Sequence, residues 1–180
     1  VAENGAIEVR GEIYVPGGHV HVLGDHVALL GEGLIDASSD RRGGDVLFGG
    51  SYQGKDSSIL NSSYTFLDTN ALIDVSAKLE GNGGRAVVWS DGTTQWYGSI
   101  AARGGERGGN GGLVEVSGKI HLDPHGVADR SAQYGVAGKL LLDPSDILIS
   151  NCSTSNMTSI GGPGPILTIY QPSGGPPEGW

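Results

Sequence analysis

Of the chain's 180 residues, 33 are glycine, while 37% are hydrophobic, 6% aromatic and 17% charged. That balance excludes a Leu/Glu/Lys-rich helical bundle, and the lack of a strict G-X-Y period excludes collagen, leaving a glycine-punctuated all-β architecture. Eleven Lys and Arg against twenty Asp and Glu give a net charge of −9, which argues against nucleic acid or an anionic membrane as partner, since both select clustered cations.

In chain order, the first signal is an alternation, Ile7, Val9, Gly11, Ile13, Val15, with one apolar face at the period of a strand. GGHVHV then opens at Gly17 and returns as GGDVLF at Gly43, GGRAVV at Gly83, GGLVEV at Gly111 and AGKLLL at Ala137. The second small residue falls at 18, 44, 84, 112 and 138, at intervals of 26, 40, 28 and 26. One repeating unit with a single insertion fits these intervals, which lie in the range of solenoids. A second phrase keeps step, as Ile13-Tyr-Val, Ile35-Asp-Ala, Ile73-Asp-Val, Ile100-Ala-Ala and Val127-Ala-Asp. Two and four residues after each small residue stand Val20/Val22, Val46/Phe48, Ala86/Val88, Val114/Val116 and Leu140/Leu142, all apolar. Intervening His19, His21, Asp45, Arg85, Glu115 and Lys139 are expected to face solvent, while Ile120 and Leu122 are expected to continue the buried face of Val114 and Val116.

Such a unit cannot bury a face alone, but it can coil so that each strand pairs with its equivalent one turn later. The expected fold is therefore a right-handed parallel β-helix of about five or more turns, the hand following the chirality of parallel crossovers. Residues 1–150 form the repeat domain, in which the polar insertion at about 51–72 is expected to project from the rod. Residues 151–180 read as a Ser/Gly/Pro-rich tail or linker. Within that tail Ile166, Leu167, Ile169 and Tyr170 belong to a candidate end-capping strand, 165–170.

GLIDAS with GGDVLFGGSYQGK (Gly33 to Lys55), GNGGRAVVWSDGTT (Gly81 to Thr94), GSIAARGGERGGNGGLVEVSGK (Gly98 to Lys119) and AGKLLLDPSDILI (Ala137 to Ile149) together resemble the filamentous-haemagglutinin-like exoproteins of bacteria. The resemblance covers roughly residues 5–149. It implies a large adhesin of the two-partner secretion type, a right-handed β-helix and exposure at the cell surface. The NPNL and NPNG motifs of the family's secretion domain are not in this sequence, so the expectation is a repeat segment outside that domain.

Several local patterns have both a chemical and a plain reading. Gly81-Asn-Gly-Gly-Arg-Ala86 spells a degenerate dinucleotide fingerprint, but it opens a strand where that motif opens a helix. Gly108-Gly-Asn-Gly-Gly-Leu113 begins like a calcium nonapeptide, yet Leu113 stands where the ligating acid belongs. Asp36 and Asp74 each follow the repeat isoleucine, with Ala101 and Ala128 as their expected equivalents. Together with Asp91 and Asp143 they are the carboxylates a β-helical polysaccharide lyase or hydrolase would use, although all four stand in turn-like contexts. His19 and His21 share a strand face but lack an evident third metal ligand. Trp89, Trp96 and Tyr97 are candidate glycan or partner contacts, either as exposed stacking platforms or as packing beneath the insertion. The lone Cys152 permits neither an internal disulfide framework nor a C-x-x-C motif. Nothing in 1–30 reads as a signal peptide, and no apolar run has the length of a membrane helix.

The expected function is structural and adhesive: a secreted or cell-surface shaft without catalysis, cofactor or metal. Its partners are a host-cell or matrix receptor or glycan, or other copies of itself, with an outer-membrane secretion partner for the parent protein. A self-assembling filament subunit and a carbohydrate-active β-helical enzyme are the alternatives.

Overall fold

The computed structural model describes residues 2–143, so the candidate capping residues Ile166, Leu167, Ile169 and Tyr170, and Cys152, lie outside the described residues. Fifteen strands make five turns of a parallel β-helix. The first turn is β1 (Ala2–Val9), β2 (Glu12–Tyr14) and β3 (His19–Val22), and the second is β4 (Gly24–Leu29), β5 (Leu34–Asp36) and β6 (Asp45–Phe48). The third is β7 (Tyr64–Leu67), β8 (Leu72–Asp74) and β9 (Arg85–Ser90), and the fourth is β10 (Thr93–Trp96), β11 (Ser99–Ala101) and β12 (Leu113–Gly118). The fifth is β13 (His121–Pro124), β14 (Val127–Asp129) and β15 (Lys139–Leu142). Each strand pairs in parallel with the strand three places on, giving the sheets β1-β4-β7-β10-β13, β2-β5-β8-β11-β14 and β3-β6-β9-β12-β15.

The alternation in the sequence becomes columns in this stack. Val20, Val46, Ala86, Val114 and Leu140 pair in one register line, and Val22, Phe48, Val88, Val116 and Leu142 in another. All ten belong to or pack against one core, joined by the column Ile13, Ile35, Ile73, Ile100 and Ala128 from the second sheet. The Gly-Gly phrases turn the corner into the third sheet. A Cβ on Gly84 would lie 1.9 Å from Gly44 O, one on Gly112 2.0 Å from Gly84 O, and one on Gly138 2.0 Å from Gly112 O. Glycine recurs there because backbone stacks on backbone at every turn. The corner from third sheet to first is filled by buried hydroxyls: Thr65 Oγ1 donates to Trp89 O (2.7 Å) and Thr94 Oγ1 to Ser117 O (2.7 Å).

Two expectations are corrected. Tyr64–Leu67 is no part of a projecting insertion, because it is β7, a full member of the first sheet between β4 and β10. The extra chain is residues 49–63, at a corner made elsewhere by Leu23, by Asp91 and Gly92, or by Lys119 and Ile120. It folds down onto the rod, as its contacts below show. Ile120 likewise fails to continue the buried face: it lies in the corner after β12, which resets the alternation, and is 76% exposed.

Candidate functional site

Residues 49–63 close over the outer face of the third sheet, where Leu23, Leu47, Val87 and Trp89 form a second small core with Ile59 and Leu60 packed against it. Trp89 has the outward parity read from the sequence, yet it is only 4% exposed. Gly50 and Gly54 approach its ring so closely that a Cβ on either would lie 2.6 or 2.5 Å from ring carbons. Its indole N–H donates to Asp91 Oδ1 at 3.1 Å. Trp96, 3% exposed, belongs to the main core. Neither tryptophan presents a ring face to a sugar, which corrects their assignment as glycan contacts.

The same cover explains why Glu115 does not face solvent. Its outward side chain is fully buried beneath the insertion, where Gln53 N–H donates to both carboxyl oxygens at 3.1 Å and Ser117 Oγ donates to Oε1 at 3.1 Å. Burial pushes the carboxyl up to about 7; repulsion from Asp143 adds to the rise, while the two hydrogen bonds and the charge of Arg85 oppose it. Gln53 makes this contact from a left-handed backbone, φ 55°.

Tyr97 is half-buried on the outer face of the first sheet. Its hydroxyl donates to Asp123 Oδ2 at 2.6 Å, its ring stacks on His125 at 5.5 Å and it meets Phe66 edge-on at 5.8 Å. The bond to Asp123 raises the phenol above its ordinary range and lowers the carboxyl. One face of the ring is thus occupied by the protein's own ladder.

The acids of the second sheet are aligned, one residue differently from expectation. Asp36 pairs with Asp74, then come Ala101 and Asp129; Ala128 belongs to the isoleucine column. Each aspartate accepts the N–H two residues on, from Ser38, Ser76 and Ser131. Lys78 lies 3.8 Å from Asp36, and Arg103 lies 3.9 Å from both Asp74 and Asp129. Asp91 is held by Trp89 and Asn61, and burial raises Asp143. These carboxylates are engaged in closing turns and in ion pairs between rungs.

His19 and His21 are exposed on β3 beside Asp45 and Leu47, and Asp45 is taken by Arg85 at 2.6 Å. Among the described residues no group of three His, Cys, Asp or Glu is placed to hold a metal. Gly81, Gly108 and Gly109 have positive φ, and a Cβ on Gly109 would lie 1.9 Å from Gly81 O, so both glycine motifs are tight corners.

The Gly-Gly corners line up into a trough of about 640 Å³ running across the turns. His19, Arg42, Asp45, Arg85, Asn82 and Lys139 are among the side chains around its glycine floor. Of its charges only Asp45 is acidic, on a chain of net charge −9. Sequence reasoning missed this concavity, although the Gly-Gly repeat marks where it lies. A scan against protein-family descriptions finds no match to this chain, and a search of curated proteins finds none.

Proposed function

We propose that the chain is a non-catalytic, adhesive shaft segment of a secreted or surface-anchored bacterial exoprotein of the filamentous-haemagglutinin-like kind. The observation that carries this reading is the continuity of the stack: five turns share one core, and polar pairs such as Arg85–Asp45, Arg103–Asp74 and Tyr97–Asp123 link one rung to the next. Strand-to-strand continuity of this type suits a rod that must transmit position rather than enclose a substrate. The turn and ion-pair engagement of Asp36 and Asp74 favours the shaft over the hydrolase.

In this reading the contact surface is the Gly-Gly trough rather than the tryptophans. Its floor exposes backbone and its rim carries Arg42 and Lys139, so it suits an extended, hydroxyl-rich or acidic glycan on a receptor, crossing rungs about 4.8 Å apart. The test is adhesion of the purified chain to host-cell and glycan-coated surfaces. Saturable binding that weakens about tenfold or more in Arg42→Ala/Lys139→Ala supports it. Release of oligosaccharides from a polysaccharide, abolished by Asp74→Asn, would support the enzyme instead.

A further inference from the structure

Among the described residues nothing covers the core at the end of the fifth turn. Leu122, Ala128, Leu140 and Leu142 are only partly buried, whereas Ile100, Val114 and Val116 one turn earlier are sealed. The four most exposed large hydrophobics among the described residues, Ile120, Val127, Tyr134 and Val136, lie in this last turn or, for Ile120, in the corner that leads into it.

Arg130 adds a polar demand. In each turn one residue accepts the N–H of the corner's second glycine: Val15 from Gly18, Ala37 from Gly44, Val75 from Gly84, Ala102 from Gly112 and Arg130 from Gly138. Ala37, Val75 and Ala102 of this column are sealed in the core and Val15, in the first turn, is 36% exposed; Arg130 is 7% exposed, with Nε and Nη1 buried and without an acceptor among the described residues. The backbone makes a similar demand. Val127 N–H and Lys139 N–H donate back to the fourth turn, so alternation aims those of Ala128, Leu140 and Leu142 out of the end. In the first sheet His125 N–H donates back, and Pro124 takes the outward place with no N–H to give.

We propose that this end is a docking surface whose occupant is the chain's own segment 144–180, which covers the open core and brings acceptors to Arg130 and to these N–H groups. The segment starts where the surface is, immediately after Asp143, whose N–H is held by Ser117 Oγ at 3.2 Å. At residues 144–180 it is longer than the 26-residue spacing from Gly112 to Gly138. The same spacing carries Gly138 to Gly164 and Leu122 to Leu148, and Ile166 follows Gly164 as Leu140 follows Gly138. A second copy stacked in register is the poorer occupant. It would set Glu8 against Asp123 and offer Arg130 only Val15.

Residue-resolved hydrogen exchange on the full chain tests this, with the mass in solution measured alongside. The expected result is a monomer in which the amides of Ala128, Leu140 and Leu142 exchange at least about a hundredfold more slowly than those of the exposed loop residues Gln133 and Tyr134. In full-length Leu148→Asp or Ile166→Asp that protection falls by about tenfold or more while the amides of β9 stay protected. Exchange of the three amides at the loop rate in the unaltered chain overturns the proposal. So does protection that survives both substitutions, or protection found only in a dimer, which would make the second copy the occupant.

Discussion

Replacing Glu115 by Gln preserves the side chain's shape and an acceptor for Gln53 N–H while abolishing ionisation. In the folded chain burial raises this carboxyl from 4.5 to about 7, so the folded state holds the proton more tightly than the unfolded one. The sign follows from linkage. The contribution is fully present below pH 4.5, where both states are protonated, and is lost progressively as pH rises towards about 7 because the unfolded chain ionises first. Above that the loss is complete. A shift of this size is worth on the order of 3 kcal/mol, or roughly 6–12 °C in Tm for a domain of this length. The groups facing Glu115 are Asp143, which strengthens the effect, and Arg85, which weakens it, with Lys55 acting on Asp143 in turn.

The assay is urea or thermal melting of both proteins at several values between about pH 4 and pH 8, read as the difference between the two curves. Every other ionisable group is common to both chains, so its contribution largely cancels in that difference. Glu115→Gln is expected to match the unaltered chain in acid and to exceed it by about 3 kcal/mol above neutrality. Parallel curves across the whole range would refute the reasoning, because they would mean that Glu115 is hydrated and the insertion does not seal it.

Gly84→Ala is expected to cost at least about 3 kcal/mol, since its Cβ would stand 1.9 Å from Gly44 O, whereas Gly11→Ala, with nothing within 4 Å, should stay within about 0.5 kcal/mol; urea midpoints decide. Trp89→Ala should cost about 3–5 kcal/mol by opening a cavity beneath residues 49–63, and trypsin should then cut after Lys55 faster than in the unaltered chain. Asp74→Asn keeps an acceptor for Ser76 N–H and loses the 3.9 Å pairing with a half-exposed Arg103, so melting should show a cost below about 1 kcal/mol.

The parts of this fold that could be read from sequence are those that one turn repeats for the next. Val46 meets Val20 and Ala86 in the same way that Val114 meets Ala86 and Leu140, and Gly84 is excluded from carrying a side chain by the same carbonyl geometry as Gly112 and Gly138. A contact made four times writes itself into the spacing. Where the recurring signal is weak the spacing misleads: Ala128 is a poor apolar marker beside Val127, so the period puts the acid column one residue early and misses Asp129. Contacts made once left no period. Alternation alone sends Trp89 and Glu115 outward, and so it does, but it says nothing of the insertion that covers them. A sign was nonetheless present, because Leu47, Val87 and Trp89 put apolar residues at outward positions on neighbouring rungs, next to the one long connection from third to first sheet among the described residues. Outward apolar residues on adjacent strands need a cover, and in a solenoid the nearest irregular segment is the one able to supply it. The same logic applied to Arg130, a charge where four turns carry Val or Ala, marks the end of the described coil as a place where the repeat gives way to a contact of another kind.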